Sequence, residues 1–118
     1  MVESIKTQRG NVVGLRLDEN FSEGDIIPML PGMKEKLKAF KKLNLFVEHV
    51  EMNDFTVDTL FDFLEVNLGT MDDFSKVAVV TSKDWLAEAS KLAEHSKSIN
   101  LKVFHFSEKY KALDWIEN

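Results

Sequence analysis

The apolar positions of the chain follow two different periods, which predicts strands and helices in alternation. Near the start, "MVESIKTQ" and "NVVGLRL" alternate apolar and polar residues on either side of Arg9-Gly10. A period of two is typical of strands, and a glycine between two such runs favours a hairpin turn with a positive φ. These segments therefore predict an antiparallel hairpin in which Val13, Leu15 and Leu17 share one face.

A helical stripe follows the hairpin. Five apolar residues recur at spacings of 4, 3, 4 and 3, as on one side of a helix: Ile26, Leu30, Met33, Leu37 and Phe40. We expect Asp25 to be the N-cap, which puts Pro28 in the first turn, where its missing N–H costs little. Pro31 then lies inside the helix and should kink it. Because the stripe keeps its phase through both prolines, the pattern predicts a kinked helix rather than a loop.

The remaining chain repeats a strand followed by a helix. Strands are predicted at "LNLFVEHV", "KVAVV" and "LKVFHF", and helices at "TVDTLFDFLEVNL", "DWLAEASKLAEHS" and "EKYKALDWIE". The last helix would have Ser107 as its N-cap. "KVAVV" is almost wholly apolar, as a central parallel strand covered on both faces would be. The order β-β-α-β-α-β-α-β-α predicts one α/β domain over residues 1–118, with a mostly parallel five-stranded sheet, an N-terminal antiparallel hairpin and four helices.

Composition narrows the class of protein further. The chain of 118 residues carries a net charge of -5, which argues against a nucleic-acid partner because phosphate contacts need a concentrated basic face. The lysines between residues 34 and 42 are interpreted as a solvated helix face, with an anion-binding or docking surface as the alternative.

Cysteine is absent, which excludes disulfides and thiolate sites. No apolar run approaches the ~20 residues of a membrane span, and the N-terminus lacks a signal-peptide pattern, so we expect a cytoplasmic protein.

The carboxyl ends of the predicted parallel strands carry many polar residues, and such ends are where sites form in open α/β sheets. They are His49, Glu51, Asn53, Asp54, Thr56, Thr81, Ser82, Lys83, Asp84, His105 and Ser107. One interpretation is a metal or acid–base cluster of His49, Asp54 and His105, as in a hydrolase. The other is that both histidines are hydrogen-bonded residues at strand ends. Nucleotide-binding glycine loops and a nucleophile elbow are absent, so the sequence predicts no cofactor and no enzyme.

The helix predicted after Thr56 carries apolar residues on a second side. Phe55, Phe63 and Val66 fall roughly opposite the core stripe of that helix at ~100° per residue. They are either covered by a neighbouring helix or form an exposed surface for a partner or ligand.

Nearly the whole chain resembles the SpoIIAA-like proteins of STAS type. The resemblance rests on the N-terminal hairpin, on "LNLFVEHV" leading into "NDFTVDTLFDFLE", on "SKVAVVTSKDWLAEASKLAE" and on the closing "LKVFHFSEKYKALDWI". The chain resembles a compact SpoIIAA-like branch of these proteins most strongly. It implies a STAS-type fold and a non-enzymatic regulatory module that binds a protein partner or a second copy of itself.

The resemblance also implies a switch at Thr56. In anti-sigma factor antagonists of the STAS class, a hydroxyl residue at a helix N-terminus is phosphorylated by a partner kinase, and binding stops. Asp54 matches the family's Asp and Thr56 the phosphorylated position, while Phe55 replaces the first hydroxyl residue and Val57 the glycine. A phosphate there would add about -1.5 to -2 charge beside helix N–H groups. The alternative is that Thr56 only caps its helix, contributing about 1 kcal/mol.

The fold is also similar to the lipid-carrying CRAL-TRIO domains, which implies a rival function. On this interpretation the chain is a carrier or sensor of a small apolar or anionic ligand. The ligand would occupy a pocket whose size is limited by the short chain. The residues expected at a partner or ligand surface are Phe55, Phe63, Val66, His49, His105 and Ser82.

Overall fold

In the computed structural model, a five-stranded sheet forms the centre of the described residues, which are 2–5, 10–17, 23–49, 74–82 and 100–117. The strands are β1 (Val2–Ile5), β2 (Val12–Leu17), β3 (Leu43–His49), β4 (Phe74–Thr81) and β5 (Asn100–His105). They lie side by side in chain order. β1 is antiparallel to β2, and β2 to β5 are parallel to one another. The predicted hairpin and mostly parallel sheet are confirmed.

Helical segments are described at two places in the chain. Near the start are α1 (Glu23–Ile26), a 3-10 turn (Ile27–Met29) and α2 (Leu30–Phe40), and near the end are a second 3-10 turn (Phe106–Glu108) and α3 (Lys109–Glu117). The first and last of the four predicted helices are thus found. The helices predicted at "TVDTLFDFLEVNL" and "DWLAEASKLAEHS" lie outside the described residues.

The two prolines divide the first helical segment. Pro28 is the second residue of the 3-10 turn and Pro31 the second residue of α2. Each proline therefore lies in the first turn of a helical segment, where a backbone N–H would have no partner within the helix and its absence costs little. The predicted interruption of one continuous stripe is found. The N-cap prediction is wrong, because the helix begins at Glu23 and Asp25 lies inside α1.

The sheet separates two apolar clusters, and each is covered by a helix at one end of the chain. One face, which we call the α2 face, packs against α1 and α2 through a cluster that includes Val13, Leu15, Leu17, Ile26, Leu30, Met33, Leu45, Val47, Val77 and Val79. The opposite face, the α3 face, packs against α3 through Val12, Phe46, Ala78, Val80, Ala112 and Ile116. β4 lies between two parallel neighbours, and residues 77–80 are fully buried, as predicted for "KVAVV".

Close packing explains two glycines near the hairpin. A Cβ on Gly14 would lie 2.8 Å from the carbonyl oxygen of Ile5, its partner on β1, so a side chain does not fit there. A Cβ on Gly10 would lie 3.1 Å from Cζ of Phe40. The φ of Gly10 lies outside the left-handed range, so the prediction that this glycine is needed for its φ in the turn is wrong. Gly10 instead leaves room for the Phe40 ring.

Candidate functional site

The parallel strands end along one edge of the sheet, which we call the carboxyl edge. Neighbouring strands are in register there, with pairs Leu17–His49, His49–Thr81 and Thr81–His105. The second 3-10 turn follows β5 directly, so α3 begins at the same edge. The structure therefore brings together the strand ends at which the sequence placed its polar residues.

His49 and His105 lie on either side of β4 at this edge. Since neighbouring strands are about 4.8 Å apart, the two Cα atoms are separated by roughly 10 Å. The described residues hold no group of three His, Asp or Glu side chains able to bind a metal ion. Asp54, the third member of the predicted cluster, lies outside them. The hydrolase alternative therefore stays a prediction.

His105 has a structural task at the start of the last helical segment. Its extended backbone places the ring so that Nδ1 accepts a hydrogen bond from the backbone N–H of Ser107 at 3.1 Å. In return, the carboxylate of Glu108 accepts from the backbone N–H of His105 at 3.4 Å. This is a capping box, in which two unpaired helix donors are satisfied reciprocally. The prediction of Ser107 as the cap is wrong, because the 3-10 turn starts the helical segment at Phe106.

The other predicted site residues divide into two groups. At the end of β4, Thr81 is fully buried and Ser82, which follows it, is partly exposed at the carboxyl edge. The predicted switch residues Asp54 and Thr56, and the predicted apolar surface of Phe55, Phe63 and Val66, lie outside the described residues.

A charge cluster centred on the buried Glu48 of the α3 face was not predicted from the sequence. The Glu48 side chain is 11% exposed, and its Oε2 lies 2.9 Å from Arg16 Nε and 3.2 Å from Lys109 Nζ. The cluster joins β2, β3 and the first residue of α3 near the carboxyl edge. One signal in the sequence was available: Glu48 is in phase with Asn44 and Phe46, which are buried on the α3 face. A charge in phase with buried positions needs a partner.

The C-terminal end of α3 is held at the opposite edge of the sheet. Asn44 Nδ2 donates to the carbonyl oxygen of Ile116 at 2.8 Å, and Lys76 Nζ donates to that of Trp115 at 3.2 Å. Lys76 and Lys102 also lie over the Trp115 ring, with Nζ at 5.3 and 4.9 Å from its centroid. Cations and amide donors thereby satisfy carbonyls that a helix end leaves unpaired. Both ends of α3 are fixed to the sheet.

A family model described as SpoIIAA-like matches residues 12–117, from the start of β2 to the end of α3. The chain belongs to the SpoIIAA-like family. The resemblance identified in the sequence is thereby confirmed. A search of the curated proteins and a search of the solved structures each gave no significant match. Among the described residues of this SpoIIAA-like protein, no helix has the length and apolar character needed to cross a membrane.

An aromatic side chain projects from the SpoIIAA-like domain near the carboxyl edge. Tyr110, the second residue of α3, is 85% exposed. Ser107 and Lys111 nearby are also exposed. Tyrosine is enriched among the residues that dominate the energy of protein interfaces, because it combines a large apolar area with a polar tip. This end of α3 therefore offers a contact surface on a fixed element.

Proposed function

We propose that this SpoIIAA-like protein is a non-enzymatic regulatory or protein-interaction module whose carboxyl edge binds a protein partner or a second copy of the chain. The observation that carries the proposal is membership of the SpoIIAA-like family over residues 12–117. Fold alone does not determine function, so the contacts of the carboxyl edge must also be compatible with binding.

Two polar residues near the edge, His105 and Glu48, form contacts that hold the fold together. Nδ1 of His105 accepts the capping hydrogen bond, and Oε2 of Glu48 faces two cations. A general base must reach the proton that it removes. Because these two atoms already form structural contacts, the arrangement favours binding at the edge over acid–base chemistry at these two atoms.

The exposed Tyr110 gives the proposed surface its anchor. It stands on a helix whose first residue, Lys109, is bound to the sheet through Glu48. A side chain on a fixed element loses less conformational freedom on binding than one on a loose loop, which favours affinity. We therefore expect Tyr110 to contribute more to association than other exposed apolar residues.

The proposed test measures the mass of the protein isolated gently from its native cells, by size exclusion with light scattering. We expect a complex with another protein or a dimer. Tyr110→Ser should weaken that association by about tenfold or more, the scale of a hot-spot residue. Ile27→Ser is the matched control, because Ile27 is also apolar and 55% exposed but lies in the 3-10 turn before α2.

Two results would count against the proposal. A monomeric, partner-free preparation of the wild-type protein would contradict the interaction function. Equal effects of Tyr110→Ser and Ile27→Ser would contradict the assignment of the surface to the carboxyl edge.

The switch at Thr56 is a separate part of the proposal. A phosphorylated Thr56, or Thr56→Asp as its mimic, should reduce association, because the added negative charge changes the surface that the partner contacts. Thr56→Ser is the control that keeps a hydroxyl and the capping ability. If Thr56→Asp associates as the wild type does and native protein carries no phosphate at Thr56, the residue has only the capping role.

A further inference from the structure

A cavity of about 230 Å³ lies on the α2 face, between the β1–β2 pair and the helical segment that ends with α2. The described residues that line it are Ser4, Val13, Leu15, Pro28, Met29, Gly32, Met33 and Lys36. Val13, Leu15 and Met33 are buried members of the apolar cluster on that face. Most of the described lining is therefore apolar, with one cation among it.

That cation is the ammonium group of Lys36. Among the described residues, its Nζ donates a hydrogen bond to the backbone oxygen of Val12 at 3.1 Å. In the described part of the chain, no carboxylate forms an ion pair with it. An ammonium group has three donors, so the bond to Val12 does not use its full capacity. Lys36 thus holds a positive charge, fixed by the backbone of β2, beside an apolar cavity.

Gly32 leaves the cavity open at the helix. It lies in α2, and glycine makes a helix less stable than alanine does because glycine loses more backbone freedom on folding. A Cβ added to Gly32 would meet no atom within 4 Å, so no neighbour within the protein forbids a side chain. A larger residue would instead occupy the space that Gly32 borders.

We propose that this cavity binds a small amphipathic monocarboxylate. The carboxylate pairs with Lys36 and accepts its hydrogen bonds, and the apolar body packs against Val13, Leu15 and Met33. A cavity of about 150 Å³ holds benzene, and pockets for drug-sized ligands begin at about 300 Å³, so this one suits a medium-chain acid rather than a whole lipid. The inference goes beyond the proposed protein-interaction function and does not depend on it.

The test compares octanoate with octanol, which has the same chain but no charge, by calorimetric titration of the full protein. We expect octanoate to bind with a dissociation constant at or below about 1 mM. Lys36→Met keeps an apolar stem and removes the charge, so it should weaken octanoate roughly tenfold or more while leaving octanol binding unchanged. Lys38→Met is the matched control, because Lys38 lies on the same helix with its side chain 77% exposed.

Gly32→Leu provides a second, independent variant. Leucine favours the helix and has open space at Cβ, so the variant should fold, which circular dichroism checks. Because Gly32 lines the cavity, we expect a leucine side chain there to take up its space and abolish the binding of both octanoate and octanol. The proposal is overturned if wild-type protein binds neither compound, if Lys36→Met and Lys38→Met have equal effects, or if folded Gly32→Leu binds octanoate as the wild type does. None of these measurements concerns association through Tyr110.

Discussion

Lys41 has a backbone conformation that residues other than glycine rarely adopt. Its φ of 64° and ψ of -45° follow the end of α2, and the N–H of Lys42 donates to the oxygen of Phe40 at 2.7 Å. A three-residue turn of this hand is strained for a residue with a Cβ. We predict that Lys41→Gly raises the free energy of unfolding by about 1 kcal/mol, measured by urea denaturation.

Lys42→Gly is the control for that substitution. It removes an exposed lysine of the same charge at the next position, where φ is not positive. We expect it to lower the free energy of unfolding slightly or leave it unchanged. Stabilisation by both variants to the same extent would assign the effect to charge rather than to backbone strain.

At the scale of the element, α3 depends on a histidine at its entrance. His105→Ala removes the Nδ1 acceptor and leaves the N–H of Ser107 without its capping partner, so we predict a loss of about 1 kcal/mol in thermal or urea unfolding. His105→Asn should recover most of that loss, because an Asn oxygen caps helices well. If Asn is as damaging as Ala, the ring acts through packing and not through the cap.

The elements themselves were predictable because their signals are repeated along the sequence. The almost wholly apolar "KVAVV" reflects burial on both faces of the sheet, and the alternation of Val13, Leu15 and Leu17 reflects burial on one face. The helix starts were not predictable in the same way. Asp25 and Ser107 have good capping side chains, but each lies inside a helical segment that starts earlier. A cap depends on one backbone conformation, which residue type alone does not determine.

At the scale of the whole molecule, Glu48 connects two strands and a helix through one carboxylate. Glu48→Gln keeps the shape but removes the charge that faces Arg16 and Lys109. Because both cations retain some exposure to water, we predict a loss of about 2 kcal/mol in urea unfolding, below the usual cost of breaking a fully buried pair.

The matched control for Glu48→Gln is Glu35→Gln. Glu35 pairs with Lys38 at 3.6 Å, and both side chains are more than three-quarters exposed. Such a surface pair is worth little, so the change in stability should stay within about 0.5 kcal/mol. A similar loss for both variants would show that Glu48 contributes no more than an ordinary surface charge.

The general position of the site was predictable, whereas its contacts were not. Strand order alone brings His49, Ser82 and His105 to one edge, since parallel strands share their carboxyl ends. The partners of Glu48 come from β2 and α3, which are distant in sequence, and the cavity depends on how α2 lies on the sheet. Both are products of tertiary packing that no local pattern records.

The position of α3 has a consequence for biosynthesis. Among the described elements, it is this last helix that covers Phe46, Ala78 and Val80 in the middle of the sheet. A chain emerging from the ribosome at about 5–20 residues per second completes every strand before this helix is available. During that interval no described element covers this apolar face, so we expect truncation before α3 to produce aggregation rather than a smaller folded protein.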